Sequence, residues 1–291
     1  MNYQVTGNEY IALPTLREAD AALEGLSFLH MGAKGMLELC GTQERPLLAP
    51  FVQRAGSVVL LDGLHWERLH SWIPRFTAEL CGLALEGVLL TPIDERGFGW
   101  RLRATNCEGA AVVTLGLRGS WMQTLHSVNE SKPVDAKKHL YPSGWNHCHV
   151  MELRSGLSLF AFAPIYTEQP ELCPIRSQFE CVGEEIHYCI EQSQSLAPGE
   201  TLELTVWFGL GFEEVSAATS AKELLRQGFT QELERTERWL SARERTVGDA
   251  RLDQILNTNL FFSYFFGAGR TLDTEEFVLV TSRSPRYYVS A

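Results

Sequence analysis

The segment Ala197-Pro-Gly-Glu-Thr-Leu-Glu-Leu-Thr-Val-Trp-Phe208 carries the plainest strand in the chain. Leu202, Leu204, Val206 and Phe208 point one way and Glu203, Thr205 and Trp207 the other, which is the period-two alternation of a half-buried β-strand. Pro198-Gly199 suits the central positions of a type II turn, because proline presets one φ and glycine tolerates a positive one. Upstream, Ile186, Tyr188 and Ile190 alternate with His187, Cys189 and Glu191, and only Gln192 to Leu196 intervene. The two runs are expected to pair as an antiparallel hairpin.

Towards the amino terminus the same pattern recurs. Strands are predicted at 35–41, 47–53, 57–61, 76–90, 100–107, 111–117, 150–154, 157–163 and 176–182, with Gly, Pro, Asn and Asp as punctuation. That is more than the roughly seven strands of a small sandwich. With few helical intervals between them the strands must run antiparallel. The predicted fold is mainly β, a large antiparallel two-sheet β-supersandwich over residues 1–212. A short helix at 15–25 is a weaker alternative reading, and Gly97-Phe-Gly99 reads as a turn. In Leu64-His-Trp-Glu-Arg-Leu-His-Ser-Trp-Ile73 the aromatics are expected to bridge two strands.

Towards the carboxy terminus the period changes from two to helical. Ser220-Ala-Lys-Glu223 forms a capping-box pattern, and Leu224, Leu225, Phe229, Leu233, Trp239 and Leu240 follow at helical spacing. Residues 213–247 are therefore predicted to contain an amphipathic linker helix of roughly 35 Å. Thr246-Val-Gly248 breaks it. Asp249 can then cap a second helix, in which Leu252, Ile255, Leu256, Asn259, Leu260, Ser263 and Phe266 recur at three- and four-residue steps. Phe261, Phe262, Tyr264, Phe265 and Phe266 widen its apolar surface beyond one stripe, so it is expected to need cover on more than one side.

Composition narrows the functional classes. At 291 residues and 45% hydrophobic content the chain can bury a large core. A net charge of -11 and a pI near 5.3 argue against nucleic acid and anionic membranes as partners, since both would repel it. The start, Met1-Asn-Tyr-Gln-Val-Thr-Gly-Asn, lacks a signal-peptide pattern, and no run approaches the roughly 18 apolar residues of a membrane span. The seven cysteines, at 40, 81, 107, 148, 173, 181 and 189, are odd in number and include no Cys-x-x-Cys pair. They read as reduced thiols, and the expected location is cytoplasmic. No cofactor is expected.

A large β-sandwich, a linker helix and an aromatic helix leading to Thr281-Ser-Arg-Ser-Pro-Arg-Tyr-Tyr-Val-Ser290 resembles the amino-terminal region of the six-hairpin glycosidases, the glucoamylase-like and glycogen-debranching-like glycoside hydrolases. The resemblance is architectural over residues 1–212 and motif-like over about 250–291. It implies that residues 248–291 are the first elements of an (α/α)6 barrel. In that family a segment similar to Arg286-Tyr-Tyr-Val-Ser290 leads into a Trp-x-Arg-Asp type motif, with the catalytic carboxylates at and after it. The chain stops at Ala291, so it reads as a piece of a larger protein with those carboxylates beyond its end. Glycoside hydrolysis usually needs two flanking carboxyl groups. No catalytic residue is therefore assigned here, and Asp273, Glu275 and Glu276 read as groups that cap or solvate a turn. The implied partners are a carbohydrate and the carboxy-terminal catalytic barrel of the same parent chain, with self-association possible through exposed aromatics.

Two places could touch sugar. Arg283, Arg286, Tyr287 and Tyr288 combine forked donors with aromatic faces, which suit hydroxyls and sugar rings. The interval 127–149 is the longest irregular stretch; His126 immediately precedes it, and His139, His147 and His149 within it are interleaved with Tyr141 and Trp145. If 146–151 is extended, His147 and His149 share a face and could join His126 or His139 at a metal, although the spacing includes no acidic or cysteine partner. A polar and aromatic surface formed by Trp145, His147 and His149 against a saccharide is the reading preferred to a metal site. Two alternatives to a non-catalytic bracing role are a free-standing carbohydrate-binding module, dependent on Trp145, and a mutarotase-like sugar epimerase with His147 or His149 as acid.

Overall fold

The structure, a computed structural model, describes residues 2–30, 35–127, 131–134, 136–144, 146, 148–154, 159–166 and 175–266. In chain order the strands are β1 (Tyr3–Gly7), β2 (Ile11–Arg17), β3 (Gly25–His30), β4 (Gly35–Cys40), β5 (Ala49–Arg54), β6 (Ser57–Val59), β7 (His65–Leu69), β8 (Ile73–Leu80), β9 (Leu83–Leu90) and β10 (Gly97–Asn106). They continue with β11 (Ala111–Trp121), β12 (Gln123–Ser127), β13 (Ser131–Pro133), β14 (Lys137–Pro142), β15 (His149–Arg154), β16 (Leu159–Tyr166), β17 (Ile175–Val182), β18 (Glu185–Leu196) and β19 (Thr201–Gly211). Three helices follow, α1 (Glu214–Gln227), α2 (Phe229–Ser241) and α3 (Ala250–Phe266).

The fold is mainly β, as the alternation predicts, with the strands in three antiparallel sheets arranged as two layers. The six-stranded sheet runs β1-β2-β3-β4-β12-β13 and the five-stranded sheet β17-β18-β11-β5-β6. Only Met122 separates β11 from β12, so the chain steps from one of these sheets into the other. The Leu23–Leu48 bridge and the bonds from Ser120 N–H to the Pro46 carbonyl (2.9 Å) and from Met122 N–H to the Cys40 carbonyl (3.0 Å) knit them into one layer. The eight-stranded sheet, β14-β15-β16-β19-β10-β9-β8-β7, forms the other layer. The core between them includes Phe28, Leu115, Leu117, Trp121, Trp100, Leu102, Phe162 and Phe208. Phe98 and Phe162 stack on Phe208 with centroids 4.9 and 5.2 Å away.

The structure revises several strand-level expectations. β18 and β19 are not a hairpin: β18 pairs with β11 and β17, and β19 pairs with β10 and β16 in the opposite layer. Alternation marks which face of a strand is buried, and both strands bury theirs in the same core from opposite sides. The turn at 197–200 crosses the core edge instead, pinned by Asn106, whose side-chain amide donates to the Leu196 carbonyl at 2.9 Å. The run 76–90 folds as two strands, with Cys81 (φ 50°) and Gly82 (φ 73°) forming a tight two-residue turn between β8 and β9. Gly97-Phe-Gly99 opens β10 rather than making a turn. No helix forms at 15–25. β2 ends at Arg17, whose guanidinium instead holds Asp20 at 2.7 Å and Glu24 at 3.3 Å across the turn. The interval 127–149 is partly regular, because it contains β13 and β14.

The helices cover the outer face of the eight-stranded sheet. Ala217, Ala218, Ala221 and Leu224 of α1 lie against Trp207, Ala161 and Ala163 of that sheet. Gly209 of β19 is what lets α1 approach, since a Cβ there would collide with the Ala217 carbonyl. The linker expected as one long helix is two. α1 starts at Glu214, where Ser216 Oγ accepts the Glu213 N–H at 3.2 Å, and Ser220 lies inside it. Gly228, at φ 84°, ends α1 and begins α2. Among the described residues no helix is long and apolar enough to cross a membrane. Cys40, Cys81, Cys107, Cys148, Cys181 and Cys189 are free thiols, and Cys173 lies outside the described residues.

Candidate functional site

The helical layer closes on an aromatic cluster. Asp249 caps α3 as predicted, its Oδ1 accepting the N–H groups of Arg251 and Leu252, each at 3.0 Å. Asn257, itself buried, returns to the α2–α3 connection, accepting from Arg245 N–H at 2.7 Å and donating to the Arg245 carbonyl at 2.9 Å. These bonds fix the rotation of α3 about its axis. Phe261 (0% exposed) and Phe265 (2%) then point at the sheet. They meet Trp72, which the turn at His70 (φ 49°) and Ser71 (φ 57°) projects from the end of β7. Ring centroids of Trp72 lie 6.2 Å from Phe261 and 5.4 Å from Phe265, and Trp239 of α2 stacks on Phe265 at 5.4 Å. Trp72 Nε1 donates to the Gly7 carbonyl at 2.8 Å, so the ring ties β1 to the helices rather than simply bridging two strands.

The outward side of α3 is also apolar. Leu252 is 55% exposed, Ile255 39% and Leu256 40%. At i, i+3 and i+4 they form one face of the helix. The first part of the periodic stripe, Leu252, Ile255 and Leu256, is therefore outward, and Phe261 and Phe265 face the sheet. Sequence reasoning could not choose, because both sides of α3 carry large apolar groups.

Of the other residues singled out, His139 and His149 lie on β14 and β15 at the edge of the eight-stranded sheet, and His126 lies on β12 of the six-stranded sheet. Trp145, His147, Arg283, Arg286, Tyr287 and Tyr288 fall outside the described residues, as do Asp273, Glu275 and Glu276. His149 is described and half-buried, its ring stacked on Phe179 at 4.1 Å, and burial lowers its pKa below the ordinary imidazole value. Among the described residues no carboxylate hydrogen-bonds it. His139 is exposed, and no three His, Cys, Asp or Glu among the described residues are grouped to hold a metal. On the face of β14 and β15 opposite His149 sits a network the sequence did not reveal. Glu152, 2% exposed, accepts from Arg154 Nε at 2.7 Å and lies beside Tyr141. Burial, reinforced by the negative charge of Glu152, pushes the Tyr141 phenol up to about 12. Ser143 donates to Glu214 at 2.8 Å, tying the 143–148 turn to the start of α1. Burial raises the Cys148 thiol to about 11.

Two solved structures share this architecture. The first is a protein described as a kojibiose phosphorylase from the human microbiome, matched at a TM-score of 0.59 and 10% identity over 88% of this chain and 38% of that one. The second is a bacterial glucoamylase complexed with acarbose, matched at a TM-score of 0.53 and 7% identity over 90% of this chain and 40% of that one. No family model matches the chain, and no curated protein sequence does. The β-region ends at Gly211, well short of those coverages, so the likeness takes in helical residues too. The chain spans about two fifths of the length of each of these proteins. The resemblance expected from the sequence is thus borne out in the fold: this is the supersandwich-plus-helix architecture found in a glucoamylase and in a protein described as a kojibiose phosphorylase.

Proposed function

We propose that this chain is a non-catalytic, amino-terminal bracing region of a glycoside-hydrolase-like protein, with α3 as its seam to a helical catalytic barrel. The observation that carries this reading is the two-sided character of α3. One side is fixed to the sandwich through Phe261 and Phe265, and the other leaves Leu252, Ile255 and Leu256 uncovered. Monomeric surfaces rarely leave a contiguous apolar face without a use. A barrel of helices is a suitable occupant, because an apolar helix face packs best into the grooves of another helix. The partial coverage of both solved structures, each more than twice as long as the shared part, supports a further region at this face.

On this reading the 291-residue chain binds the barrel and leaves glycoside hydrolysis to it. The experiment is the Leu252→Glu, Leu256→Glu double variant in the protein encoded by the full reading frame, compared with the same change in the chain alone. Lower thermal stability in the full protein, with the isolated chain unchanged, is the expected result. Equal behaviour of the two, a reading frame that stops at Ala291, or turnover of aryl glycosides by the isolated chain would each reject the proposal.

A further inference from the structure

The outward face of the five-stranded sheet, across the core from the helices, carries a cleft of about 600 Å³. That volume is within the usual span for small-ligand sites, roughly 300–1,000 Å³. Its polar wall is built by direct cross-strand pairing. Ser120 of β11 stands opposite His187 of β18 in the register. Ser120 Oγ lies 2.9 Å from His187 Nδ1, His187 Nε2 lies 3.2 Å from Glu185 Oε2, and that oxygen accepts from Arg45 at 2.8 Å. With the carboxylate accepting from Nε2–H, a neutral ring leaves Nδ1 to accept the Ser120 hydroxyl. The order Ser, His, Glu is that of a nucleophilic triad, but Ser120 donates its own N–H to the Pro46 carbonyl at 2.9 Å. That amide cannot stabilise an oxyanion, so the arrangement fits recognition better than acyl transfer.

The opposite wall is apolar and open. Val58 is 64% exposed and Leu60 75%, and both line the cleft. Phe51 lies flat over Gly116, where any Cβ would collide with the ring, so the aromatic face spreads along the sheet surface. Arg118 lies over it, its guanidinium 5.8 Å from the ring centroid, and among the described residues this exposed side chain has no carboxylate partner to hold it there. A ligand that fits must therefore present an apolar face to Phe51 and Leu60, and a row of hydroxyls to His187, Arg45 and Arg118. A pyranose ring has those two unlike surfaces.

We propose that this cleft is a saccharide-binding site, taking a sugar ring stacked on Phe51 with its hydroxyls bonded to His187 and Arg45, which Glu185 behind them holds in place. The inference rests on the carbohydrate setting proposed above, yet uses no residue of the α3 seam. The test is a chemical-shift titration of the whole 291-residue chain with glucose, maltose, cellobiose and galacturonate in turn. Shifts should concentrate on residues 45, 51, 118 and 187. Phe51→Ala should weaken binding about tenfold, equivalent to about 1.4 kcal/mol. Arg118→Ala, at an exposed position where misfolding is not expected, should weaken it several-fold, and most for galacturonate. Unchanged thermal unfolding of both variants excludes a folding defect. No binding of any of the four sugars up to about 10 mM, a dissociation constant corresponding to only about 2.7 kcal/mol, overturns the proposal. So does binding that both substitutions leave untouched. Leu256→Glu should not change the titration, which keeps failure of the cleft distinct from failure of the seam.

Discussion

Replacing Phe265 by alanine removes the contact that fixes α3 to the sandwich. The ring is 2% exposed and sits between Trp72 and Trp239, each with its centroid 5.4 Å away. A buried phenylalanine hides about 150 Å² or more, which at about 25 cal/mol per Å² corresponds to about 4 kcal/mol. Measured Phe→Ala losses in cores are of the same size, about 3–5 kcal/mol. The helix is peripheral and touches the rest of the molecule on one side, so part of the cavity can close and the lower value, about 3 kcal/mol, is expected. The loss should appear first as local undocking of α3 rather than as global unfolding. Native-state hydrogen exchange reads this directly, and amides from Asn259 to Phe266 should lose about 150-fold in protection, the equivalent of about 3 kcal/mol. Leu256→Ala, at a side chain 40% exposed, should change the same amides by less than about 0.5 kcal/mol. Comparable losses for the two substitutions, or a larger one for Leu256, would refute the assignment of inward and outward faces.

Three further outcomes follow from local geometry. Gly209→Ala forces a methyl against the Ala217 carbonyl, so α1 must shift, and urea unfolding should show a loss of about 1–3 kcal/mol; no loss would contradict the close approach of α1 to β19. Spectrophotometric titration should place Tyr141 at about 12, and Glu152→Gln should bring it down towards its ordinary value of 10.0, while an unmoved midpoint would remove the carboxylate as a cause. His149 is lowered in the fold, so it is neutral above the unfolded value of 6.5, and the folded state binds fewer protons than the unfolded state just below it. Stability should therefore fall as pH drops below about 6.5, His149→Phe should flatten that slope, and a proton NMR titration with a midpoint above 6.5 would be inconsistent with burial as its cause.

The legible parts of the fold were those that depend on local period. The alternation at 202–208 and the caps of α3 identified a strand and a helix that the structure retains. Partners were harder to read, because a strand buried on one face carries no mark of its neighbour. That is why β18 and β19, adjacent in sequence, were expected to pair and instead occupy opposite layers. β2 is hard to read as a strand, since Pro14 and the mixed run Leu16-Arg-Glu-Ala-Asp obscure the alternation. Gly228 looked compatible with helical spacing, yet its positive φ divides the helix in two. Site chemistry was least visible. Ser120 and His187 lie 67 residues apart, and only the register of β11 with β18 brings them together. Tyr141 and Glu152 meet in the same way across β14 and β15.

The central claim concerns the outer face of α3, and hydroxyl-radical footprinting measures it side chain by side chain. Leu252, Ile255 and Leu256 should oxidise readily in the 291-residue chain and several-fold more slowly in the protein expressed from the full reading frame, while Phe261 and Phe265 stay protected in both. Equal oxidation of Leu252, Ile255 and Leu256 in the two proteins would contradict the account.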